Sequence, residues 1–170
     1  MSKYLIVLIL LVTSFTSLFS NEVKSSDSFY IKGGVAVPPG HRLNSYLPIP
    51  TIGIGRRHQM GYHGYDLSLN FSSVMLINSL SAKGMYLYYP FPNEKYRLYL
   101  GAGPGVGYNC SLEVEGGFIS LEGVIGVEFQ CSPHFKPFVQ LEATQPVCSF
   151  YGKGAGNHRP GVALTIGVGF

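Results

Sequence analysis

Residues 159–170 read RPGVALTIGVGF, and the alternation within them decides the fold. From Val162 every second residue is apolar and mostly large, and the residues between them are alanine, threonine or glycine. This two-residue period predicts a β-strand with one apolar face and one face of small side chains. The run finishes on Phe170. A strand at the edge of a soluble sandwich seldom stops on a large aromatic residue. The rest of the sequence is therefore needed to decide whether the apolar face of this strand packs against protein or faces lipid.

The same alternation, bounded by turn residues, recurs along the chain, and no segment of ten or more residues has a convincing helical period. With 22 Gly, 12 Tyr, 11 Phe and only 12% charged residues, the composition also favours strands and turns over helices. Each predicted strand is close to the length that a tilted strand needs to cross a bilayer. The eight predicted strands run approximately from 28 to 37, 50 to 59, 62 to 72, 79 to 89, 96 to 107, 118 to 130, 136 to 146 and 160 to 170.

The chain begins MSKYLIVLILLVTSFTSLFS, with one lysine, then an apolar run and then small residues. We interpret residues 1–20 as a secretory signal peptide, residues 21–27 as a short segment before the first strand and residues 28–170 as one domain. An uncleaved anchor is the alternative for the first segment. No cysteine follows the apolar run, which argues against a lipid-anchored lipoprotein. The net charge of +3 is too slight to indicate a nucleic-acid partner.

The predicted connections alternate in length. Longer ones, such as PPGHRLNSYLPI at 38–49 and SSVMLINS at 72–79, alternate with generally tighter ones, such as QMGYH at 59–63. A membrane barrel has this asymmetry, because its loops face the exterior and its turns face the periplasm. An even number of strands would also place both ends of the chain on the periplasmic side.

The two faces of each predicted strand differ in polarity. In the sixth strand Ile119 and Leu121 share one parity. Glu122 and Glu128 share the other. A soluble barrel or sandwich would have the same period with its polar face in water, so periodicity alone does not separate the two arrangements. The signal peptide, the connection lengths and the terminal Phe170 favour a membrane barrel whose apolar residues face lipid.

The same parity assigns eight charged residues to the interior. An eight-stranded barrel is just wide enough for side chains to fill it, so charges inside it must pair. Four of these residues are cations and four are carboxylates, so we expect them to form ion pairs that plug the lumen. The assignment of strand four has an alternative. The apolar residues Met85 and Leu87 share the inward parity of Lys83, and a bulge in this strand would change which of its residues face inward. The predicted lumen charge network consists of Lys32, Arg57, Asp66, Lys83, Arg97, Glu122, Glu128 and Glu142.

These segments together resemble the small OmpA/OmpX-type β-barrels of the outer membrane of diderm bacteria. The resemblance is carried by YLGAGPGVGYN at 99–109, ISLEGVIGVEFQCSPHFKPFVQLEATQ at 119–145 and VALTIGVGF at 162–170. It implies an all-β fold, an eight-stranded antiparallel up-and-down transmembrane β-barrel. It also implies that Phe170 is similar to the aromatic assembly signal that the barrel assembly machinery reads. The chain has no Trp, so tyrosine and phenylalanine have to supply the aromatic girdle.

The three cysteines are the residues with the most distinctive chemistry. Cys110 is predicted in the third long loop, Cys148 in the fourth, and Cys131 at the opposite end of the barrel. Pairing strands six and seven about their turn places Cys148 opposite Phe118, which is near Cys110 along the loop. A disulfide between Cys110 and Cys148 is therefore feasible in an oxidising compartment. Three unpaired cysteines are the alternative, and the odd thiol leaves room for an intermolecular bridge.

No motif in the sequence supports a cofactor, a metal or catalysis. GAGPGVG at 101–107 loosely matches G-x-G-x-x-G, but no crossover helix follows, and the glycines fall on the inward face. The His-x-Ser-Asn motif of outer-membrane lipid A deacylases is missing, since Pro160 stands where serine would, so we predict no enzyme activity. The histidines lack ligand spacing; they are His41, His58, His63, His134 and His158.

The expected function is a structural or surface-interaction role, adhesin-like, for a barrel with a plugged lumen that displays its loops outside. A narrow porin-like channel for small solutes is the alternative, and a lipid A-modifying outer-membrane enzyme is the third candidate. A soluble, lipocalin-like barrel is the alternative at the level of the fold. Expected partners are outer-membrane lipids and lipopolysaccharide, the barrel assembly machinery and periplasmic chaperones, and a host or surface ligand. Loop residues that could face lipopolysaccharide phosphates, or be ordinary solvated residues, are His41, Arg42, Lys153, His158 and Arg159.

Overall fold

The computed structural model describes residues 25–37, 39, 48–74, 77–110, 115–132, 134–150 and 159–170. Residues 1–24, which contain the predicted signal peptide, lie outside the described residues. Within the described ranges, no helix is long and apolar enough to cross a membrane. The strands are β1 (Ser25–Val37), β2 (Ile49–Met60), β3 (His63–Val74), β4 (Ile77–Tyr88), β5 (Tyr96–Cys110), β6 (Glu115–Phe129), β7 (Lys136–Phe150) and β8 (Gly161–Gly169).

The strands form one closed antiparallel barrel in which each strand pairs with its neighbours in sequence. β1 and β8 complete the ring, with Ile31 opposite Val168. Phe29 and Phe170 exchange backbone hydrogen bonds of 3.1 and 2.8 Å at one end of this seam. Closure removes the free sheet edges and pairs the backbone groups of the wall with one another. The predicted eight-stranded antiparallel up-and-down barrel is confirmed. We call the end where β1 starts and β8 stops the terminal end, and the opposite end the loop end.

The connection lengths differ from the predicted alternation. β3 ends at Val74 and β4 begins at its cross-strand partner Ile77, so a predicted long loop is a tight reversal. β5 and β7 extend past their predicted ends, to Cys110 and Phe150. At the terminal end the β4–β5 connection, residues 89–95, is longer than the β3–β4 and β5–β6 connections opposite it. The predicted long connections after β3 and β5 were wrong, because pairing with neighbouring strands continues through residues whose composition favours turns. The predicted long connections after β1 and β7 are the two longest, residues 38–48 and 151–160.

The wall of the barrel is apolar outside and polar inside. Leu67 and Ile166 point outward and are 64% and 63% exposed, whereas Asp66 and Glu122 point inward and are 0% and 2% exposed. The predicted faces of the third, sixth and seventh strands are confirmed by the burial patterns of β3, β6 and β7. A soluble protein has the opposite distribution, so this outer surface fits the hydrocarbon of a bilayer.

Aromatic side chains form a girdle around the outside of the terminal end. Tyr89 and Tyr99, which share the inward parity, are instead fully buried in the lumen. Girdles of this kind mark the level at which a barrel wall passes from hydrocarbon to the polar interface. The exposed girdle residues are Tyr62, Tyr65, Tyr86, Tyr88, Phe91, Tyr96, Phe135 and Phe170.

β4 keeps a single parity along its described length. Met85 and Leu87 are buried on the same side as Lys83. The pairing of β4 with β5 keeps one register on both sides of Pro104. Proline has no N–H to donate, so it interrupts the hydrogen-bond ladder there without inserting a residue. The bulge that the sequence left open for strand four is therefore absent from β4, and Lys83 stays inside.

A bulge occurs instead in β7. Ile119 pairs with Cys148 but Ser120 pairs with Pro146, so Val147 is the extra residue. Pro146 cannot donate to the ladder, and positions of this kind are where strands tolerate a bulge. The bulge moves every later residue of β7 by one position relative to β6.

Candidate functional site in the barrel lumen

The structure places the eight charged residues assigned to the lumen inside the barrel. Seven of them are buried and Arg97 is half-buried near the terminal end. They form two connected clusters, one around Glu142 in the half nearer the loop end and one around Arg57 in the half nearer the terminal end.

Glu142 on β7 accepts from two lysines on other strands. Nζ of Lys32 on β1 lies 2.6 Å from Oε1. Nζ of Lys83 on β4 lies 3.1 Å from Oε2. The same ammonium group lies 2.8 Å from Oε2 of Glu122 on β6. Two cations and two carboxylates from four strands therefore neutralise one another across the lumen.

Hydroxyl groups take up the remaining acceptor capacity of these carboxylates. Ser120 donates to Oε1 of Glu122 over 2.6 Å, and Thr144 donates to Oε2 over 2.7 Å. Thr165 donates to Oε1 of Glu142 over 3.3 Å. Buried charges offset the cost of leaving water only when they are paired and hydrogen-bonded in this way.

Arg57 on β2 is the centre of the second cluster. Its Nε donates to Oδ2 of Asp66 over 2.8 Å, and its Nη2 donates to Oε1 of Gln140 over 3.1 Å. Its Nη1 lies 3.4 Å from Oε2 of Glu128. Nε2 of Gln140 in turn donates to Oε1 of Glu142 over 2.9 Å, which joins the two clusters. The guanidinium therefore contacts β3, β6 and β7 at once.

Aromatic rings close the lumen around this guanidinium. The Arg57 Cζ atom lies 4.3 Å from the ring centroid of Tyr99, 5.0 Å from Phe138 and 5.2 Å from Tyr30. The phenol of Tyr30 donates to Asp66 over 2.7 Å, and that of Tyr99 donates to Gln140 over 2.6 Å. A cation among rings that are themselves hydrogen-bonded makes a tightly packed layer across the barrel.

Arg97 and Lys136 are lumen cations outside both clusters. Nη1 of Arg97 donates to Oε1 of Gln59 over 2.6 Å, and among the described residues Arg97 makes no ion pair, so the predicted pairing of four cations with four carboxylates is wrong for this residue. Lys136 is 5% exposed and was missed, although it shares the parity of Gln140 and Glu142. Extending the inward face of β7 to its first residue would have found it.

A small polar cavity lies above the Glu142 cluster, toward the loop end. Its volume is about 40 Å³, enough for a few water molecules. Lys83 and Glu142 form part of its lining. Hydroxyl groups line much of the rest, from Thr51, Ser72, Ser79, Ser81, Thr144 and Thr165. Among the described residues, the polar interior thus contains a cavity in this half and is closed by the packed layer around Arg57 in the other.

The disulfide that the sequence left open between Cys110 and Cys148 is not formed. Both residues lie in strands, β5 and β7, and all three cysteines are exposed free thiols. β6 separates the two strands, so the Cα atoms are at least two strand spacings apart, about 10 Å, beyond the reach of a disulfide. The bulge at Val147 also pairs Cys148 with Ile119 instead of Phe118.

The remaining predicted site residues are scattered. His41, Arg42, Lys153 and His158 lie outside the described residues, and Arg159 is half-buried before β8. In the described part of the chain, no group of three or more His, Cys, Asp or Glu is arranged to hold a metal ion. The glycines of 101–107 lie in β5 and face the lumen, as expected.

A closed eight-stranded barrel with an apolar wall, an aromatic girdle and a plugged polar interior has the architecture of small membrane β-barrels. Comparison with solved structures gives the same fold. The chain matches neisserial surface protein A with a TM-score of 0.68 at 12% identity, over 85% of this chain and 97% of that one. It matches the N-terminal β-barrel domain of Pseudomonas aeruginosa OprF with a TM-score of 0.57 at 14% identity, over 86% and 100%.

A third similar structure is Ail, the attachment invasion locus protein of Yersinia pestis, solved in complex with the heparin analogue sucrose octasulfate. The TM-score is 0.51 at 18% identity, over 88% of this chain and 98% of that one. No protein-family model matches the chain, and no curated protein matches it. At these identities the likeness establishes a shared fold.

Proposed function

We propose that this protein is a structural and surface-interaction barrel of the outer membrane of a diderm bacterium, with a lumen that does not conduct. The apolar wall supports the membrane location, because exposed side chains such as Leu67 and Ile166 would be unfavourable in water. The fold shared with known outer-membrane barrels supports the outer membrane as the membrane in which this barrel lies. Export through a signal peptide at 1–20 belongs to the same proposal.

The layer around Arg57 is the observation that carries the proposal. Its guanidinium bonds to Asp66, Glu128 and Gln140 and is surrounded by three aromatic rings. An ion crossing the barrel would have to displace this layer and leave buried charges unpaired, which costs several kcal/mol. An interior of eight strands has little width to spare for a bypass.

Single-channel recording in planar bilayers tests the closed lumen. We expect no ohmic steps from the wild-type barrel, and steps from the double variant Arg57→Ala/Glu128→Ala, which removes one cation and one carboxylate from the layer. The matched control is Asp27→Ala/Arg56→Ala, which removes an exposed ion pair of 2.5 Å from the outer wall and should stay silent. Steady conductance of the wild-type barrel would reject the closed lumen.

The narrow channel remains a second candidate because a polar cavity of about 40 Å³ lies in the loop-end half of the lumen. The same recordings decide it, since a pore would conduct before the Arg57 layer is altered. For a lipid A-modifying enzyme, mass analysis of lipid A from cells that express the protein is the direct test, and an unchanged mass is the expected result.

The surface-interaction role would belong to the connections at the loop end. Ail, which shares the fold, was solved with a heparin analogue, and it supports the idea that barrels of this shape present ligand-binding surfaces. For this chain, the proposed partners are outer-membrane lipids and lipopolysaccharide, and a host or surface ligand. Binding of cells that express the barrel to heparin and to host-cell monolayers, compared with cells that lack it, tests the role.

A further inference from the structure

Two lumen cations near the terminal end, Arg97 and Lys136, make no ion pair among the described residues, although Glu128 is the cross-strand partner of Arg97. Nη1 of Arg97 on β5 donates to Oε1 of Gln59, and Nζ of Lys136 on β7 donates to Oγ of Ser26, each over 2.6 Å. Ser26 and Gln59 are direct cross-strand partners on β1 and β2. The side chains of such a pair start about 5 Å apart. Both cations therefore reach the same pair of residues on β1 and β2 at the terminal end.

Further donors lie at this place with no acceptor. Tyr89 is fully buried, and its hydroxyl has no hydrogen-bond partner among the described residues. Its ring lies over Gly64, the β3 partner of Gln59. Nε of Arg97 is also buried and has no partner within the same part of the chain. Buried donors are normally satisfied by protein, water or a bound group, so these donors indicate that an acceptor binds here.

The lumen carboxylates are occupied by other residues. Glu128 faces the same end, but its oxygens accept from Gln130 over 2.5 Å and from Arg57 over 3.4 Å. The other three carboxylates in the described lumen are held by Arg57, Lys32 and Lys83. Among the side chains of the described lumen residues, five cations, counting Arg97 and Lys136, face four carboxylates, and the two cations without an ion pair lie at the terminal end. Ser26 and Arg97 are only half-buried, so solution reaches them.

We propose that these residues form a binding site for a small phosphate-type oxyanion that enters the lumen from the terminal end. The donors would be the guanidinium of Arg97, the ammonium of Lys136 and the hydroxyl of Tyr89, with Ser26 and Gln59 beside them. A phosphate offers several acceptors in a compact volume and so matches a planar guanidinium, an ammonium and a phenol that converge. The site borders the closed layer around Arg57, because the rings of Tyr89 and Tyr99 pack with their centroids 5.7 Å apart. It does not require the lumen to conduct.

Isothermal titration of inorganic phosphate into the barrel in detergent micelles, at an ionic strength held constant with sodium chloride, tests the site. We expect saturable binding to one site per barrel. Arg97→Gln and Lys136→Gln should each weaken it at least about tenfold, because each removes a charged donor. Glycerol phosphate, titrated in parallel, shows whether the site takes a phosphate ester as well as the free ion.

Arg56→Gln is the matched control. Arg56 lies one residue from the inward Arg57 but points outward, where it is ion-paired with Asp27, so its loss should leave phosphate affinity unchanged. A gel shift between unboiled and boiled samples confirms that each variant is folded. Absence of saturable heat from the folded wild type would overturn the proposal. Wild-type affinity in Arg97→Gln/Lys136→Gln, or an equal loss in Arg56→Gln, would overturn it too.

Discussion

Glu142 holds more of the lumen together than any other described carboxylate, because it accepts from lysines on β1 and β4, from Thr165 on β8 and from Gln140 on its own strand. It is 2% exposed. Removing a buried acceptor of this kind leaves the donors around it in a medium of low dielectric with nothing to replace it.

The variant Glu142→Ala should therefore be strongly destabilised. Breaking a buried pair by removing one partner typically costs about 3–5 kcal/mol, and here Lys32 loses its carboxylate partner while Lys83 keeps only Glu122. The free energy of unfolding in detergent micelles, measured with urea, checks this. Asp27→Asn is the control, since Asp27 makes its ion pair with Arg56 on the exposed outer wall, and its urea midpoint should hardly move. Equal midpoints for the two variants would contradict the network.

Parity predicted most lumen residues correctly but could not predict their partners. A period of two places Lys32 and Glu142 inside, because alternation fixes a residue's face whatever the neighbouring strands do. Whether Arg97 bonds to Glu128 or to Gln59 depends on the length of its side chain and on the stagger of the strands around the barrel. The two-residue period of the sequence contains neither. The same limit applies to Cys110 and Cys148, whose separation depends on strand ends and on one bulge.

At the scale of the element, the seam between β1 and β8 is formed by close approach of two backbones. A Cβ built on Gly34 would lie 2.0 Å from the carbonyl oxygen of Leu164, a distance that the strands could not accommodate without moving apart. Gly123 faces open space on the outer wall of β6, where a Cβ meets nothing within 4 Å. The barrel therefore requires glycine at position 34, whereas position 123 has space for a larger residue.

Gly34→Ala should weaken closure of the barrel, and Gly123→Ala should not. The expected result is a smaller fraction of folded, faster-migrating protein on unboiled gels for Gly34→Ala after refolding in detergent. Gly123→Ala should fold to the wild-type fraction, since its methyl group would project into lipid or detergent. Equal folded fractions in both variants would mean that β1 and β8 can separate enough to admit a side chain.

Phe170 is placed to act at the same seam, where it exchanges backbone hydrogen bonds with Phe29 and points its ring outward. Its role as an assembly signal stays a prediction. Deleting Phe170 should reduce the barrel in outer-membrane fractions of cells much more than it reduces refolding in detergent, because only cells use the assembly machinery. Phe170→Tyr keeps an aromatic end and should assemble normally. A parallel loss in detergent would make the residue structural only.

Strand positions were predictable because the apolar period of two persists through every strand, as in Leu67 and Leu69 of β3 or Ile119 and Leu121 of β6. The lengths of the connections between strands were less predictable. Where serine and glycine suggested loops, backbone pairing extended the strands, since an edge residue gains a ladder hydrogen bond whatever its intrinsic preference. Nothing in the sequence indicated the bulge at Val147 except that this residue follows Pro146.

At the scale of the whole molecule, the outward face predicts how deeply the barrel lies in the bilayer. Ile166 lies midway along β8 between Phe170 and Val162, and Tyr96 lies at the terminal-end rim of β5. Ile166→Arg should therefore cost about 2–4 kcal/mol and Tyr96→Arg about 0–1 kcal/mol, because only the first places a charge near the bilayer midplane. Denaturant unfolding in phospholipid vesicles checks this, and equal costs would contradict the placement.

The lumen network also bears on the order of events in folding. Lys32 and Glu142 are 110 positions apart in sequence, and Arg57 and Gln140 are 83 apart. Such contacts cannot form until the strands between them have met, so they belong to the native side of the rate-limiting barrier. Loss of Glu142 should then appear almost wholly as faster unfolding, with the refolding rate nearly unchanged. The interior charges would act as a kinetic latch, setting how long a completed barrel survives once it has formed.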